Sequence, residues 1–522
     1  MIQTLVNKLS NQVTFFAIFL MAHLVRIPFD PDPHHDGLMY TAAIASSTGL
    51  FPHRDFFSQY GPLTSFIHGL WFMAAPNTLL SLRFFNGLLL AISSLLLFRI
   101  LKDQIGVKLA FLISLVWSIS SPEILPAGLP WPTVVSSLLL LFLIYISKTS
   151  RIALSKWIVF LLGFVSAIAL FARMHNLVIP VLVSILCLLT KRYRFLLYFL
   201  LGYFTLLIAA ISFLNLHSGL LPFIEQSIIW PLLGHAGSTF GAKALIVNAL
   251  LLLQFPFFAA VLWLVCRLAW RNTLLLVVFL TILILAAYLY SRRIPEIPVA
   301  DRSFAKFDYL SAFVAQQSLQ MITFGLMGVC LALQTKDLNN RLQFSEREIL
   351  ASSISIGAFF QLYPSPDAYH VWWIAPLLLA GLPVNSSSIF KRFAQTPILV
   401  AVLFVNLFHV SQIISFDRSK YQSEVLSGMY GTNLGVDEAL IEIQRIIPLR
   451  SANFECIDGL FAANTRGYLA NEVLYVNWLK KLNNPESSPA LFLVSCIGIE
   501  SDLEKAESTF WTNDLVTIKR IG

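Results

Sequence analysis

The feature that most limits what this chain can fold into is the spacing of its polar loops. From the first residues to about residue 415, long apolar stretches alternate with short polar connections. A membrane-crossing helix needs about 20 predominantly apolar residues. On that measure the candidate spans are 13–29, 82–101, 107–121, 132–147, 157–173, 176–190, 195–214, 244–265, 273–290, 311–334, 349–363, 371–385 and 396–415, thirteen in all. Several are short, so one or two are read as partly re-entrant or broken. Composition agrees. Of the 522 residues, 57% are hydrophobic and 12% charged, whereas soluble domains are about a quarter charged. So little polar surface could not cover so large an apolar core, and a bilayer is the natural solvent for the excess. The 43 Phe and 11 Trp suit lipid-facing and interfacial positions. The expected fold is a polytopic α-helical membrane domain over 1–415, followed by a small α/β domain over 416–522. The first apolar stretch, Phe15–Phe29, lacks a small-x-small cleavage site and reads as a retained helix.

Charge sets the expected orientation. Residues 1–415 carry 26 Lys and Arg against 14 Asp and Glu, while residues 416–522 carry 10 against 14. With a cytoplasmic N-terminus, 17 of the 26 basic residues fall in loops on the inner side: Lys8, Arg99, Lys102, Lys108, Lys148, Arg151, Lys156, Lys191, Arg192, Arg194, Arg267, Arg271, Lys336, Arg341, Arg347, Lys391 and Arg392. Inner loops are expected to be the basic ones. An odd number of spans then places the tail outside. No basic stripe interleaved with stacking aromatics is present, so nucleic acid is not an expected partner. Five cysteines are too few for a disulfide scaffold. Cys187, Cys266 and Cys330 fall in or beside apolar stretches and read as packing residues. Cys456 and Cys496 lie in the tail and can pair only if it faces an oxidising compartment.

Polar chemistry gathers on the outer side. The first outer loop, 30–81, is long and carries apolar stretches of its own, so it reads as structured, with short interfacial helices. It opens on D-P-D-P-H-H-D-G-L-M-Y, Asp30–Tyr40, and continues with G-L-F-P-H-R-D-F-F-S-Q-Y-G-P-L, Gly49–Leu63. A carboxylate at an apolar interface can act as a general base, which makes Asp36 and Asp55 candidates. Asp36 is equally suited to cap a helix starting at that point. His35, Arg54 and Tyr60 are candidate substrate contacts beside them. Metal binding by His34, His35, Asp36 and His53 is not favoured, because their spacing matches no closed zinc site. A second cluster, F-A-R-M-H-N at Phe171–Asn176, places Arg173, His175 and Asn176 at the outer end of a span. Such groups are costly at membrane depth unless paired or wet, although a snorkelling arginine also fits. A third, Y-P-S-P-D-A-Y-H-V-W-W at Tyr363–Trp373, puts Asp367 and His370 on one helix face at i,i+3 spacing. The segment 291–310 breaks the charge pattern, with Arg292, Arg293, Arg302 and Lys306 on the outer side. An anionic ligand would account for it. The P-A-G-L-P-W-P segment ending at Pro132 reads only as a hairpin turn.

This layout resembles the GT-C glycosyltransferases, which include protein O-mannosyltransferases, the aminoarabinose transferase of lipid A and oligosaccharyltransferases. The resemblance rests on H-H-D-G at His34–Gly37 after the first span, on R-D-F-F-S-Q-Y-G-P-L in the first outer loop, and on Y-P-S-P-D-A-Y-H late in the membrane part. Many members have two adjacent acidic residues, whereas Gly37 follows Asp36 here. The resemblance implies a polyprenyl-phosphate sugar donor, with a glycan, lipid or protein acceptor attacking the anomeric carbon with inversion. Asp36 would be the base, and Arg173, Arg292, Arg293, Arg302 and Lys306 the cations at the donor phosphate. It also implies a multi-pass protein of the inner, cytoplasmic membrane with its tail periplasmic or extracellular. A flippase or transporter of lipid-linked sugar is the alternative, as is a non-catalytic assembly protein. Transporters often show repeated halves, and no internal repeat is evident here.

The topology is directly testable. A reporter fused after Gly522 is expected to be active outside the cytoplasm and one fused at Lys391 inside. A cytoplasmic reporter signal from the C-terminal fusion would contradict the thirteen-span reading.

Overall fold

The computed structural model describes residues 2–29, 35–120, 129–149, 154–229, 345–362 and 368–381, isolated helical residues beyond 229, and four strands in the tail. Within the described membrane part the helices are α1 (Ile2–Leu24), α2 (His35–Ser47), α3 (Leu63–Ala74), α4 (Leu79–Ile105), α5 (Val107–Ile119), α6 (Pro132–Thr149), α7 (Lys156–Ala172), α8 (Val178–Leu189), α9 (Tyr193–His217), α10 (Leu220–Ile224), α11 (Glu346–Ala358) and α12 (Ala368–Gly381). Nine of the expected spans coincide, to within a few residues, with α1, α4 to α9, α11 and α12, except that α1 begins well before its span. The candidates 244–265, 273–290, 311–334 and 396–415 lie outside the described residues. Among the described helices, α4 and α9, of 27 and 25 residues, are long and apolar enough to cross a bilayer unaided. The remaining apolar helices are shorter.

Local chemistry sets several helix ends. Thr78 caps α4 by accepting the Ser81 N–H on its hydroxyl. Ser155 does the same for α7 with Ile158. Ser345 and Glu348 form a reciprocal capping box on α11. The largest described core cluster joins α1, α4, α5, α6, α11 and α12 through residues such as Phe19, Leu97, Trp117, Leu140, Ile354 and Leu378.

Between α1 and α4 the chain forms a helical hairpin. Here α2 and α3 pack side by side, with Tyr40 edge-on to Phe72 at 5.9 Å and the Tyr40 hydroxyl donating to Asn77 O at 2.9 Å. The chain seats this hairpin on the end of α7 at Gly61. A Cβ there would lie 2.0 Å from Phe171 O, so only glycine permits the approach.

A similar approach joins α7 to α9. A Cβ on Gly163 would lie 1.9 Å from Phe199 O, and one on Gly202 would lie 1.9 Å from Phe160 O. Lipid tails are as apolar as the helices, so close backbone packing replaces the hydrophobic effect as the source of association.

In the tail, β1 (Ala452–Glu455), β2 (Phe492–Cys496), β3 (Ala506–Thr512) and β4 (Val516–Ile521) form one sheet in the order β1-β2-β4-β3. The β1–β2 pair is parallel, and β4 runs antiparallel to both β2 and β3. In the tail sequence, 490–496 and 515–518 read as strands, and these fall on β2 and β4. The sequence also reads as helical at 436–447 and 472–482; in the first of these Glu438, Ile441, Glu442 and Arg445 are helical, while 472–482 and Cys456 lie outside the described residues.

The glycine crossing predicts that Gly163→Ala and Gly202→Ala each lower the melting midpoint of the detergent-solubilised protein, and that leucine does so further. Alanine variants that melt like wild type would show that α7 and α9 do not pack at this distance.

Candidate active site

Two charges meet at the start of α2. Asp36 lies in its first turn and Arg83 one turn into α4, and both side chains are fully excluded from solvent. Arg83 Nε donates to Asp36 Oδ1 at 3.1 Å, and its Nη2 is ion-paired with Oδ2. The remaining nitrogen, Nη1, donates to Ile27 O at 3.0 Å and Phe29 O at 2.5 Å. One guanidinium thus joins the chain leaving α1, the start of α2 and the body of α4. Sequence reading singled out Asp36 but missed Arg83. The signal was an arginine within the 82–101 span, where a cation is costly unless it has a partner. Asn86, one turn further along α4, is buried too and donates to Leu129 O at 2.7 Å.

Leu129 leads into Trp131, where three separated motifs converge. The Trp131 ring is buried. His35 stands edge-on to it at 4.7 Å and Tyr60 at 5.0 Å. Trp373 lies parallel to it at 6.2 Å, and His370 is edge-on to Trp373 at 5.5 Å. His35 comes from the first motif, Tyr60 from Q-Y-G-P-L, and His370 and Trp373 from Y-H-V-W-W. The P-W-P segment is therefore more than the hairpin turn expected of it. Its two prolines flank the indole around which the candidate substrate contacts gather. Gln59 Nε2 donates to the Tyr60 hydroxyl at 2.9 Å.

The same segment starts α6, whose first turns receive the F-A-R-M-H-N cluster. Buried Arg173 hydrogen-bonds Thr133 Oγ1. Asn176 Nδ2 donates to Ser136 Oγ at 2.7 Å and Ala169 O at 2.8 Å. Gln361 Nε2 donates to Asn176 Oδ1 at 3.2 Å. Gln361 lies just ahead of Y-P-S-P-D, so the second and third motifs are tied by a residue that sequence reading passed over. His175 shares the short 3-10 turn Met174–Leu177. Asp367, Arg292, Arg293, Arg302 and Lys306 lie outside the described residues.

Asp55 has a different setting from Asp36. It belongs to a tight hook in which Pro52 bridges Phe56. Its Oδ2 accepts the Phe51 N–H at 2.7 Å, and Arg54 clasps both carboxylate oxygens at 2.9 and 2.8 Å. The Arg54 hydrogen bond holds the Asp55 carboxyl below its usual range. Arg54 is exposed, lies over the Phe51 ring at 5.1 Å and donates to His217 O at 2.8 Å. Asp55 and Arg54 are thus paired with each other at the surface of the hook.

Just before them in the hook, His53 adopts the left-handed region at φ +70°, which a non-glycine residue holds only under constraint. The constraint is Gln226. Its Nε2 donates to His53 O at 3.0 Å, and its Oε1 accepts the Ser58 N–H at 3.0 Å. That orientation places Oε1 3.3 Å from His53 Nδ1, so Nδ1 carries the proton. Burial pulls the imidazole from its ordinary 6.5 down to about 4. Among the described residues, no three His, Cys, Asp or Glu side chains gather in a way that could hold a metal ion.

A helical body with a helical hairpin after α1 and a buried acidic residue at the start of that hairpin is a fold shared with solved oligosaccharyltransferases. The oligosaccharyltransferase of Archaeoglobus fulgidus in its apo form superposes with a TM-score of 0.51 at 10% identity, covering 95% of this chain and 70% of that one. The same enzyme tethered to an acceptor peptide containing the NVT sequon gives 0.50 at 11% identity, covering 94% and 70%. ArnT of Cupriavidus metallidurans in the apo state gives 0.45 at 11% identity, covering 98% of both chains. No protein-family model matches the sequence, and no curated protein matches it by sequence. At these identities the likeness is one of fold.

The His53 clamp has a pH signature. A histidine buried in its neutral form binds fewer protons than the unfolded chain does between about pH 6.5 and 4, so its stabilisation is complete above 6.5 and is lost as pH falls through that window. Lowering the pH from 7 to 5 should remove about 2 kcal/mol through this group. His53→Gln should melt with a visibly smaller acid shift over that interval. An acid shift as large as that of wild type would show that His53 is not held neutral in the fold.

Proposed function

We propose that this chain is an integral membrane glycosyltransferase. It moves a sugar from a polyprenyl-phosphate donor to an acceptor hydroxyl at the outer face of the membrane, with inversion and with Asp36 as general base. The observation that carries this reading is the Asp36–Arg83 pair, set at the start of the outer hairpin in a chain with the GT-C fold. A base must be ionised and oriented before substrate arrives, and the fork of Arg83 supplies the orientation. The A. fulgidus enzyme, an oligosaccharyltransferase solved with an acceptor peptide, supports glycosyl transfer as the chemistry.

In this mechanism the acceptor oxygen attacks the anomeric carbon while the bond from that carbon to the phosphate oxygen breaks. The hydroxyl proton passes to the Asp36 carboxylate, and the phosphate leaves with the bonding electron pair. A phosphate leaving group needs charge stabilisation more than protonation. Arg173, Arg292, Arg293, Arg302 and Lys306 are assigned to it, the arginines because their forked donors match phosphate oxygens. His35, Tyr60 and His370 around Trp131 form the aromatic side of the sugar site, because rings offer the apolar face of a sugar a flat contact. Arg54, His175, Asn176 and Asp367 complete the polar contacts. The acceptor is a glycan, a lipid or a protein. The chain is assigned to the inner membrane with its N-terminus cytoplasmic and its tail periplasmic or extracellular.

The ion pair dictates how the base must be tested. Asp36→Asn alone leaves a buried arginine without its counter-charge, which destabilises the fold as well as removing the base. The Asp36→Asn/Arg83→Met double variant removes both charges and should recover most of the lost stability. Transfer by reconstituted protein, read by mass analysis of the glycan product, is expected to stay roughly 100-fold or more below wild type in both variants. A stable double variant that transfers sugar at near wild-type rate would reduce the pair to a structural strut. Loss of transfer in Asp55→Asn alongside that result would move the base to Asp55.

A further inference from the structure

Arg26 lies in the turn that follows α1 and is 3% exposed. Its Nη1 donates to Ser120 O at the outer end of α5. Its Nε and Nη2 are buried and meet no acceptor among the described residues. Those two nitrogens form one edge of the guanidinium, with parallel N–H bonds. It is the same edge that Arg83 presents to the Asp36 carboxylate. The chain thus carries two buried arginine forks near the end of α1, one closed on a carboxylate and one not.

The groups around Arg26 answer one another. The indoles of Trp117 and Trp372 lie nearly parallel at 5.3 Å and exchange hydrogen bonds, Trp117 Nε1 to Trp372 O at 2.8 Å and Trp372 Nε1 to Trp117 O at 3.1 Å. Trp372 Nε1 also reaches Ser120 Oγ at 3.1 Å, and that hydroxyl donates to Trp117 O at 2.9 Å. His23 stands edge-on to Trp117 at 5.7 Å and holds Ser94 Oγ at 3.0 Å. Among the described residues, no carboxylate pairs with Arg26. A buried cation with two unmatched donors is a poor packing residue, because each unmade bond carries its full desolvation cost. A methionine would fill the same space without it.

We propose that Arg26 is an oxyanion-binding residue whose Nε/Nη2 fork takes two oxygens of a phosphate, that of the lipid-linked donor. The fork stands on its own geometry. Assigning its anion to the donor lipid rests on the glycosyl-transfer reading, to which it adds a phosphate contact at the end of α1 in addition to the cations already assigned. A phosphate oxyanion can also come from a phospholipid headgroup or from free phosphate, and the experiment separates these sources.

The purified full chain in detergent is melted with farnesyl phosphate, phosphatidylglycerol, inorganic phosphate or farnesol, as wild type and as Arg26→Met. Without additive, Arg26→Met is expected to melt at or above wild type. Farnesyl phosphate should raise the wild-type midpoint, farnesol should not, and the concentration needed should rise roughly 10- to 100-fold in Arg26→Met, the scale of losing a hydrogen bond to a charged group. An Arg26-dependent shift with inorganic phosphate or phosphatidylglycerol instead would uphold the oxyanion site and overturn its assignment to the donor. No shift with any phosphate, an undiminished shift in Arg26→Met, or a variant that melts well below wild type without additive would overturn the site. Because binding is read without transfer, these outcomes are distinct from a failure of wild type to transfer sugar, which would count against the functional reading alone.

Discussion

A carboxylate and a guanidinium that are both shut away from water have to be matched, because either one alone carries a large desolvation cost. Asp36 and Arg83 are such a pair, and it ties together the end of α1, the start of α2 and α4. The fork of Arg83 fixes the carboxylate, and its third nitrogen holds the carbonyls of Ile27 and Phe29. The end of α1 and the start of α2 are therefore both held against α4. The hairpin of α2 and α3, seated through Gly61 on the end of α7, follows from there. A buried pair is weak evidence of net stabilisation, since two apolar residues could pack as well. Its consequence is geometric, and an oriented, water-excluded carboxylate is also what a general base requires.

From the pair outward, the structure assembles a site from parts far apart in sequence. Asn86 carries the link from α4 to Leu129, and Trp131 then collects His35, Tyr60 and Trp373. Two turns of α6 receive Arg173 and Asn176, and Gln361 ties that cluster to the segment preceding Asp367. Acid, aromatic and cationic groups thus converge through one short, proline-bounded segment.

Much of the architecture was legible because lipid solvation leaves a strong mark on sequence. Helices α4 to α9 could be read from apolar length and basic loops, and α2 and α3 from apolar stretches inside a polar loop. What stayed hidden depends on contacts between distant residues. Asp36 was visible as a candidate, but its partner was not, because Arg83 lies 47 positions away and looks locally like a cation at a helix end. Trp131 was hidden by its setting, since a Pro-flanked tryptophan in a short loop has the signature of a turn. Gln226 and Gln361 are neutral amides whose roles come only from what they clamp. The 1.9 Å approaches at Gly163 and Gly202 were likewise invisible, because glycine within an apolar span has several uses.

The account depends most on the claim that Asp36 and Arg83 act as one unit, and a double-mutant cycle of unfolding free energy measures that directly. Asp36→Asn and Arg83→Met, alone and together, are compared with wild type in the same detergent. Each single variant should lose about 3–5 kcal/mol, because each leaves one buried charge unmatched. The double variant should lose far less than the sum, giving a coupling of several kcal/mol. Losses that simply add would mean that the two residues do not sense each other, and the outer site would lose the interaction on which its geometry rests.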